Sequence, residues 1–179
     1  MRGVFIKTKV VAKMIYKILK ENNFDFKVEL NYNITDKSLD FLKQHIVKSH
    51  YMLESSKIFL DIERFPDFYS RLYYSCYHII NSLFYLYGLL VVTDVFSENK
   101  EISTHGKLIG FFYKCFIKNE IFNKNFSDIL RDFQEYRTTA DYKFDKFNKE
   151  KSIKDYKKGF DFINIIKDKI NNGLKEIGK

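Results

Sequence analysis

Hydrophobic residues recur at three- and four-residue spacing through most of the chain from residue 35 onwards, the pattern of helices with one apolar face. The first of these helices is predicted to begin near Asp36 or Ser38. Pro66 stands where a first-turn proline belongs and opens a second helix that ends near Gly88. The chain holds only 7 glycines and 1 proline, so turns and bulges are few and helices are favoured.

Three further helices are predicted in the second half of the chain. Ser103 or Thr104 can cap the first of them, and the next covers roughly residues 125–142. Ser152 and Asp155 are interpreted as a capping box for the last helix. Short connections between long helices favour an antiparallel up-and-down bundle. The predicted fold class is therefore all-α, an antiparallel bundle of four or five helices.

Residues 1–35 form a separate extension in this interpretation, and residues 36–179 form the bundle. Ile6–Lys20 has the pattern of a basic amphipathic helix, which we expect to dock against the bundle. Apolar and polar residues alternate strictly along Phe24–Tyr32, which predicts a strand. A single strand needs a partner. The candidates are Leu89–Val92, the same strand in a second copy, and another protein.

An uncharged stretch at Tyr73–Val92 is about as long as a membrane span. Within it Ser75, His78 and Ser82 recur at helical spacing below Arg71 and form a polar stripe. A central bundle helix explains such a stripe better than lipid does, so we expect no membrane association.

The net charge of +8 is concentrated at the two ends of the chain. Residues 1–20 carry six basic groups and no acid, and residues 143–179 carry 11 lysines against 6 acids, which leaves residues 21–142 at −3. If the protein binds a polyanion, the ends supply the attraction. The alternative is a solvated, lysine-rich surface.

Cys76 and Cys115 lie far apart in the sequence and match no metal or redox spacing. Both stand in apolar helical context, so buried free thiols are expected. No secretory signal is apparent, because lysines interrupt the apolar residues of the N-terminus. We therefore expect a cytoplasmic location.

Three stretches, in this order and spacing, resemble the HEPN superfamily, specifically its small stand-alone prokaryotic branch. They are SRLYYSCYH at Ser70–His78, THGK at Thr104–Lys107, and LRDFQEYRTTADY at Leu130–Tyr142. The resemblance covers about Ser38 to Ile170. It implies a four- or five-helix bundle that often dimerises. Many members cut RNA without a metal, using an Arg followed after four to six residues by a His.

The resemblance implies a catalytic set of Arg137, Asp141 and Tyr142, in which Tyr142 stands where the His is expected. Tyrosine titrates near pH 10 and is a poor general base at neutral pH, which favours a binding role. Arg137 and Asp141, four residues apart, can alternatively form a surface ion pair. Arg71 and His78 also satisfy the Arg–His spacing and are the secondary catalytic candidates, with a structural role for His78 as the alternative.

Lys143, Lys146, His105 and Lys107 are assigned as nucleic-acid-binding residues, with capping or packing as the alternative role of His105. The histidine spacings predict no metal site. No glycine loop that could hold a nucleotide phosphate is present, so no cofactor is expected.

The predicted function is that of an RNA-associated, toxin-like component of a toxin–antitoxin pair. The resemblance implies a nucleotidyltransferase-like antitoxin as partner and a homodimer as the assembly. One alternative is an active metal-independent ribonuclease, for which the catalytic His of the motif is missing at Tyr142. The other is a non-catalytic adaptor that acts through dimerisation.

Overall fold

The computed structural model describes residues 13, 17, 29–30, 36–87, 89–90, 104–140, 147–176 and 178, with only the backbone described at 29–30, 37, 89–90, 104–107 and 140. The described part is helical, as predicted for an all-α protein. Its helices are α1 (Asp36–Asp61), α2 (Phe65–Leu86), α3 (Thr104–Phe112), α4 (Asn125–Ala140) and α5 (Lys149–Glu176). The predicted helix starts near residues 36, 66, 104 and 125 are confirmed. None of the described helices is long and apolar enough to cross a membrane.

Helix α2 is the centre of the bundle. Pro66 lies in its first turn, where the missing N–H costs no hydrogen bond. From Ile79 to Tyr87 every side chain is buried, because α1, α4 and α5 pack around the helix. Cys76 is also buried, as is Cys115 after α3, and both are free thiols as expected. The central position of α2 explains why its sequence is long enough and apolar enough to resemble a membrane span.

A π-helical turn at Tyr113–Ile117 continues α3 without a break. Its side chains Cys115, Phe116 and Ile117 are all buried. Phe116 packs edge-on against Phe84 of α2, with 5.3 Å between the ring centroids. The turn therefore anchors the end of α3 to the central helix.

Helix α5 begins differently from the prediction. Asn148 is its N-cap residue, since the Asn148 Oδ1 accepts a hydrogen bond from the Lys151 backbone N–H at 2.9 Å. The predicted capping box was wrong, because Ser152 and Asp155 are buried inside the helix. Asp155 accepts a hydrogen bond from the Tyr69 hydroxyl of α2 at 2.9 Å. The residue pair that resembled a cap in the sequence instead connects α5 to the core.

The lysine side chains of α5 compensate the buried charge of Asp155. The Lys151 Nζ lies 2.6 Å from one carboxylate oxygen, and the Lys158 Nζ lies 3.2 Å from the other. The Lys151 ammonium group also lies 3.6 Å from the centroid of the Tyr136 ring of α4. Burial raises the pKa of the Tyr69 hydroxyl above its ordinary value, so this group stays a hydrogen-bond donor to Asp155.

Two residues of the predicted Phe24–Tyr32 strand lie in the described part of the chain. Glu29–Leu30 (β1) pairs antiparallel with Leu89–Leu90 (β2), with Glu29 opposite Leu90 and Leu30 opposite Leu89. This partner is one of the three weighed from the sequence. The rest of the predicted strand and nearly all of the predicted Ile6–Lys20 helix lie outside the described residues.

Helix α5 packs closely on α2 at two glycines. A Cβ atom on Gly159 would lie 2.5 Å from the Leu72 Cδ1 and 3.2 Å from the Phe133 Cε2. At Gly173 it would lie 2.6 Å from the Leu86 Cδ2. These three neighbours are fully buried, so none can move aside without displacing other core atoms.

We expect Gly159→Ala to lower the free energy of unfolding by about 1–3 kcal/mol, because the added methyl group overpacks the core. Gly110→Ala is the matched control, because a Cβ atom there meets nothing within 4 Å in a helix of the same protein. Gly110→Ala should instead raise the free energy of unfolding by about 0.5–1 kcal/mol, because alanine favours a helix more than glycine does. Urea unfolding followed by circular dichroism measures both, and equal effects would contradict the close packing.

Candidate functional site

A row of polar contacts joins α1 to α2. The Ser49 Oγ donates to the Ser75 carbonyl at 2.8 Å, and the Ser75 Oγ donates to the Ser49 carbonyl at 2.6 Å. Further along α2, the Ser82 Oγ donates to the Leu42 carbonyl at 3.2 Å. A serine side chain is short, so these bonds form only where the two backbones approach closely. The polar stripe recognised in the sequence of α2 therefore faces α1.

The same row holds a pair of histidines. The Nδ1 atoms of His45 and His78 lie 3.0 Å apart, a hydrogen-bond distance. A neutral imidazole carries one N–H, so one ring must donate at Nδ1 and the other must accept. Burial, then the charge of His78, then that of Lys48 lower the pKa of His45 from 6.5 to about 4. His45 is therefore a neutral group at physiological pH.

Arg71 lies two helical turns before His78 on this side of α2. Its Nη1 lies 3.5 Å from the Met52 Sδ of α1, a weak contact. The two helices are antiparallel, so the contacting residues run in opposite order along them. The pairs are Arg71 with Met52, Ser75 with Ser49, and His78 with His45. The two secondary catalytic candidates are placed on one side of the helix, as their spacing predicted.

Arg137 stands in the last turn of α4 and stacks on two tyrosines of α2. Its Cζ lies 4.8 Å from the centroid of the Tyr74 ring and 5.5 Å from that of Tyr73. Tyr73 is fully buried, and burial raises the pKa of its hydroxyl against the opposing effect of the Arg137 charge. Among the described residues no carboxylate forms an ion pair with this guanidinium.

Aromatic rings connect the Arg137 stack to the histidine pair along α2. The ring centroids of Tyr74 and Tyr77 lie 6.4 Å apart, and those of Tyr77 and His78 lie 5.6 Å apart. Arg71, Tyr74, Tyr77 and His78 are all half-buried. We call these four residues, together with His45 of α1 and Arg137 of α4, the tyrosine face. Arg137 of α4 thus contacts the tyrosines of α2, and Arg71 stands three residues before Tyr74 on the same helix.

A buried amide adjoins this face one turn beyond Tyr77. The Asn81 Nδ2 donates to the Tyr77 carbonyl at 2.9 Å. Its Oδ1 is buried and has no hydrogen-bond partner among the described groups. The pKa of the Tyr77 hydroxyl is raised by burial, an effect that a hydrogen bond from Asn81 opposes.

The other predicted site residues are placed only in part. His105 and Lys107 belong to the first turn of α3, where the backbone alone is described. Asp141, Tyr142, Lys143 and Lys146 lie outside the described residues. Within the described part of the chain, no group of three or more His, Cys, Asp or Glu side chains is arranged to hold a metal ion.

Four residues of the site were not selected from the sequence: His45, Tyr73, Tyr74 and Tyr77. The tyrosines fall within the quoted Ser70–His78 stretch, but nothing in their spacing indicates that an arginine more than sixty residues later stacks on two of them. The sequence did contain a pattern that could have identified His45. His45, Ser49 and Met52 repeat at helical spacing and mirror the polar stripe of α2.

No protein-family model matches this chain, and no curated protein matches it either. The relation to the HEPN superfamily therefore depends on the motifs quoted above and stays a proposal.

We expect the protein to lose stability as the pH falls from 6.5 towards about 4. The lowered pKa of His45 means that the unfolded chain binds a proton in this range more readily than the folded chain does. His45→Asn keeps an amide at the position of Nδ1 but does not titrate, so its melting temperature should depend less on pH over the same range. His50→Asn, an exposed histidine of α1, is the control and should retain the wild-type dependence. If the melting temperatures of the wild type and of His45→Asn depended on pH in the same way, the lowered pKa of His45 would be contradicted.

Proposed function

We propose that this chain is an RNA-associated, toxin-like protein of the HEPN type that binds RNA on the tyrosine face. The single observation that supports this most directly is the Arg137 guanidinium stacked on the rings of Tyr74 and Tyr73. No ion pair engages it among the described residues, and a guanidinium is the side-chain group that can pair with a phosphate through two N–H donors.

An arginine held in this way suits single-stranded RNA for two reasons. Stacking on a ring fixes the planar fork before a ligand arrives, which lowers the entropy cost of pairing with a phosphate. The tyrosine rings beside it are of the side-chain type on which unpaired bases stack in complexes with single-stranded RNA. Duplex RNA hides those base faces, so unpaired segments are the favoured ligand.

The charge of α5 supports the same proposal. Residues 149–176 carry eight lysines against five acids. Two of these lysines neutralise Asp155, and most of the others are exposed. Such a surface attracts a polyanion in a salt-dependent manner.

The partner proposed from the resemblance is a nucleotidyltransferase-like antitoxin. Its test is co-purification with the product of an adjacent gene of that class. The two-residue pairing of β1 with β2 offers one docking edge, because no third strand pairs with either of them among the described residues.

The homodimer also has a candidate surface. Val47, Tyr51 and Ile58 of α1 and Ile62 after it are between 58% and 67% exposed and lie along one side of the helix. Their spacing reads the same in both directions. An antiparallel copy would therefore place Tyr51 against Ile58 of its partner, as a two-fold interface requires. This row is also the observation that favours the adaptor alternative.

A second candidate function is metal-independent cleavage of RNA, and the 3.0 Å contact between His45 and His78 favours it. Histidine is the side chain whose ordinary pKa suits proton transfer at neutral pH. Here His78 would replace the missing His of the motif, and Arg71 lies on the same side of the helix.

We expect purified protein to bind a labelled single-stranded RNA in the presence of a chelator, and Arg137→Ala to weaken that binding about tenfold, or ~1.4 kcal/mol. Arg131→Ala is the matched control, because Arg131 is exposed on the same helix and has the same charge. Fluorescence anisotropy between about 50 and 200 mM salt measures both variants. Equal losses would show a general charge effect, and no binding by the wild type would contradict the proposed function.

For the assembly, we expect light scattering to give twice the mass of the chain for the wild type and the single mass for Ile58→Glu. A charge placed in an apolar interface is not compensated across it. Ile165→Glu changes an isoleucine of α5 that is 49% exposed and should leave the dimer intact. A wild-type monomer, or a dimer that survives Ile58→Glu, would exclude this surface.

A further inference from the structure

Arg137 stands three residues before Ala140, the last residue of α4. The last four carbonyl groups of an α-helix have no hydrogen-bond partner within the helix, so the final turn opens more easily than the middle does. The stack of Arg137 on Tyr74 therefore depends on contacts from outside α4 that hold this turn against α2. The side chain next to it in the sequence, that of Tyr136, makes such contacts.

Two aromatic rings and one ammonium group surround the ring of Tyr136. Its centroid lies 5.3 Å from that of Tyr69 on α2 and 5.8 Å from that of Phe147, and both pairs are edge-on. The Lys151 Nζ of α5 lies 3.6 Å from the same centroid, a cation–π distance. Tyr69 and Phe147 are buried, whereas the side chain of Lys151 is 35% exposed. Lys151 is therefore the outermost of the three groups that enclose Tyr136.

The ammonium group of Lys151 is itself held in place by α5 and α2. It lies 2.6 Å from the Asp155 Oδ2 and donates to the Tyr69 hydroxyl at 3.3 Å. That hydroxyl donates to the same carboxylate oxygen at 2.9 Å, which closes a triangle of three contacts. A lysine on an open surface exchanges among many rotamers, whereas this one is fixed over the Tyr136 ring.

The spacing of residues along α2 explains why a group that holds Tyr136 also holds Arg137. Tyr136 packs against Tyr69, and Arg137 lies over Tyr73, which is four residues or about one turn further along α2. Adjacent residues of α4 thus contact adjacent turns of α2, so a displacement of Tyr136 also displaces Arg137.

We propose that Lys151 is a positioning residue for Arg137. Through its contact with Tyr136 it fixes the last turn of α4, so that the Arg137 guanidinium stays stacked on Tyr74 in the orientation that binds a phosphate. This inference rests on the proposed function, because the phosphate belongs to RNA bound on the tyrosine face. It adds a residue of α5 to a site built from α1, α2 and α4.

The binding test uses the whole chain, a chelator and the labelled single-stranded RNA. Lys151→Met keeps an apolar side chain of similar length without the ammonium group, and we expect it to weaken binding about fivefold. Lys151→Arg retains a cation that can pair with Asp155 and lie over the ring, so it should keep most of the affinity. Lys154→Met removes the charge of an exposed lysine of α5 and should weaken binding less than about twofold. Equal losses in Lys151→Met and Lys154→Met would overturn the inference.

A double-mutant cycle separates positioning from direct contact of Lys151 with the RNA. If Lys151 acts through Arg137, adding Lys151→Met to Arg137→Ala should cause no further loss of affinity. A double variant whose loss is the product of the two single losses would show that Lys151 binds RNA itself and would overturn the inference. No RNA binding by the wild type would instead refute the proposed function.

Proton NMR of the free protein tests the positioning without RNA. In the wild type, the ring of Tyr74 should shift the side-chain protons of Arg137 upfield, because the guanidinium lies over its face. In folded Lys151→Met these protons should return towards the shifts of an unstacked arginine, and Lys151→Arg and Lys154→Met should keep the wild-type shifts. Unchanged Arg137 shifts would overturn the inference whether or not RNA binds. Lys151→Gln, whose amide can still donate to Asp155, carries the same tests if Lys151→Met does not fold.

Discussion

The reciprocal hydrogen bonds between Ser49 and Ser75 are the constraint on which the site depends. Each serine hydroxyl donates a hydrogen bond to the backbone carbonyl of the opposite serine. The close approach of α1 and α2 therefore leaves neither buried hydroxyl without a hydrogen-bond partner. Larger side chains at either position would separate the helices. Because His45 and His78 lie one turn away, the same approach brings their rings to hydrogen-bond distance. The histidine contact is thus a result of how the core packs rather than of local sequence.

A buried carboxylate, that of Asp155, also connects α5 to α2. Asp155 is 2% exposed yet contacts two ammonium groups and a tyrosine hydroxyl. Tyr69 belongs to α2, and the Tyr136 ring that covers Lys151 belongs to α4. Breaking such a cluster by removing one member leaves a charge without compensation. The carboxylate therefore sets how three helices meet, and α4 is the helix that carries Arg137.

Helix positions could be predicted from the sequence because they depend on local periodicity. Pro66 and the apolar spacing of α1, α2 and α4 placed those elements correctly. The start of α5 was misjudged because Ser152 and Asp155 satisfy a local capping pattern while their real partners are distant in sequence. For the same reason the site was found only in part. Arg71 and His78 share a helix and could be paired by spacing, whereas the stacking of Arg137 on Tyr74 depends on how α4 docks against α2.

The π-helical turn at Tyr113–Ile117 closes its hydrogen bond over one residue more than an α-helical turn does, from the Lys118 N–H to the Tyr113 carbonyl at 2.9 Å. One extra residue rotates the residues before the turn by about 100° relative to the residues after it, since each α-helical residue turns the chain by that angle. The side that the Thr104–Phe112 helix presents to the bundle therefore depends on this single extra residue. Deleting one residue from the turn would present a different side of that helix to the bundle and would move Phe116 away from its contact with Phe84.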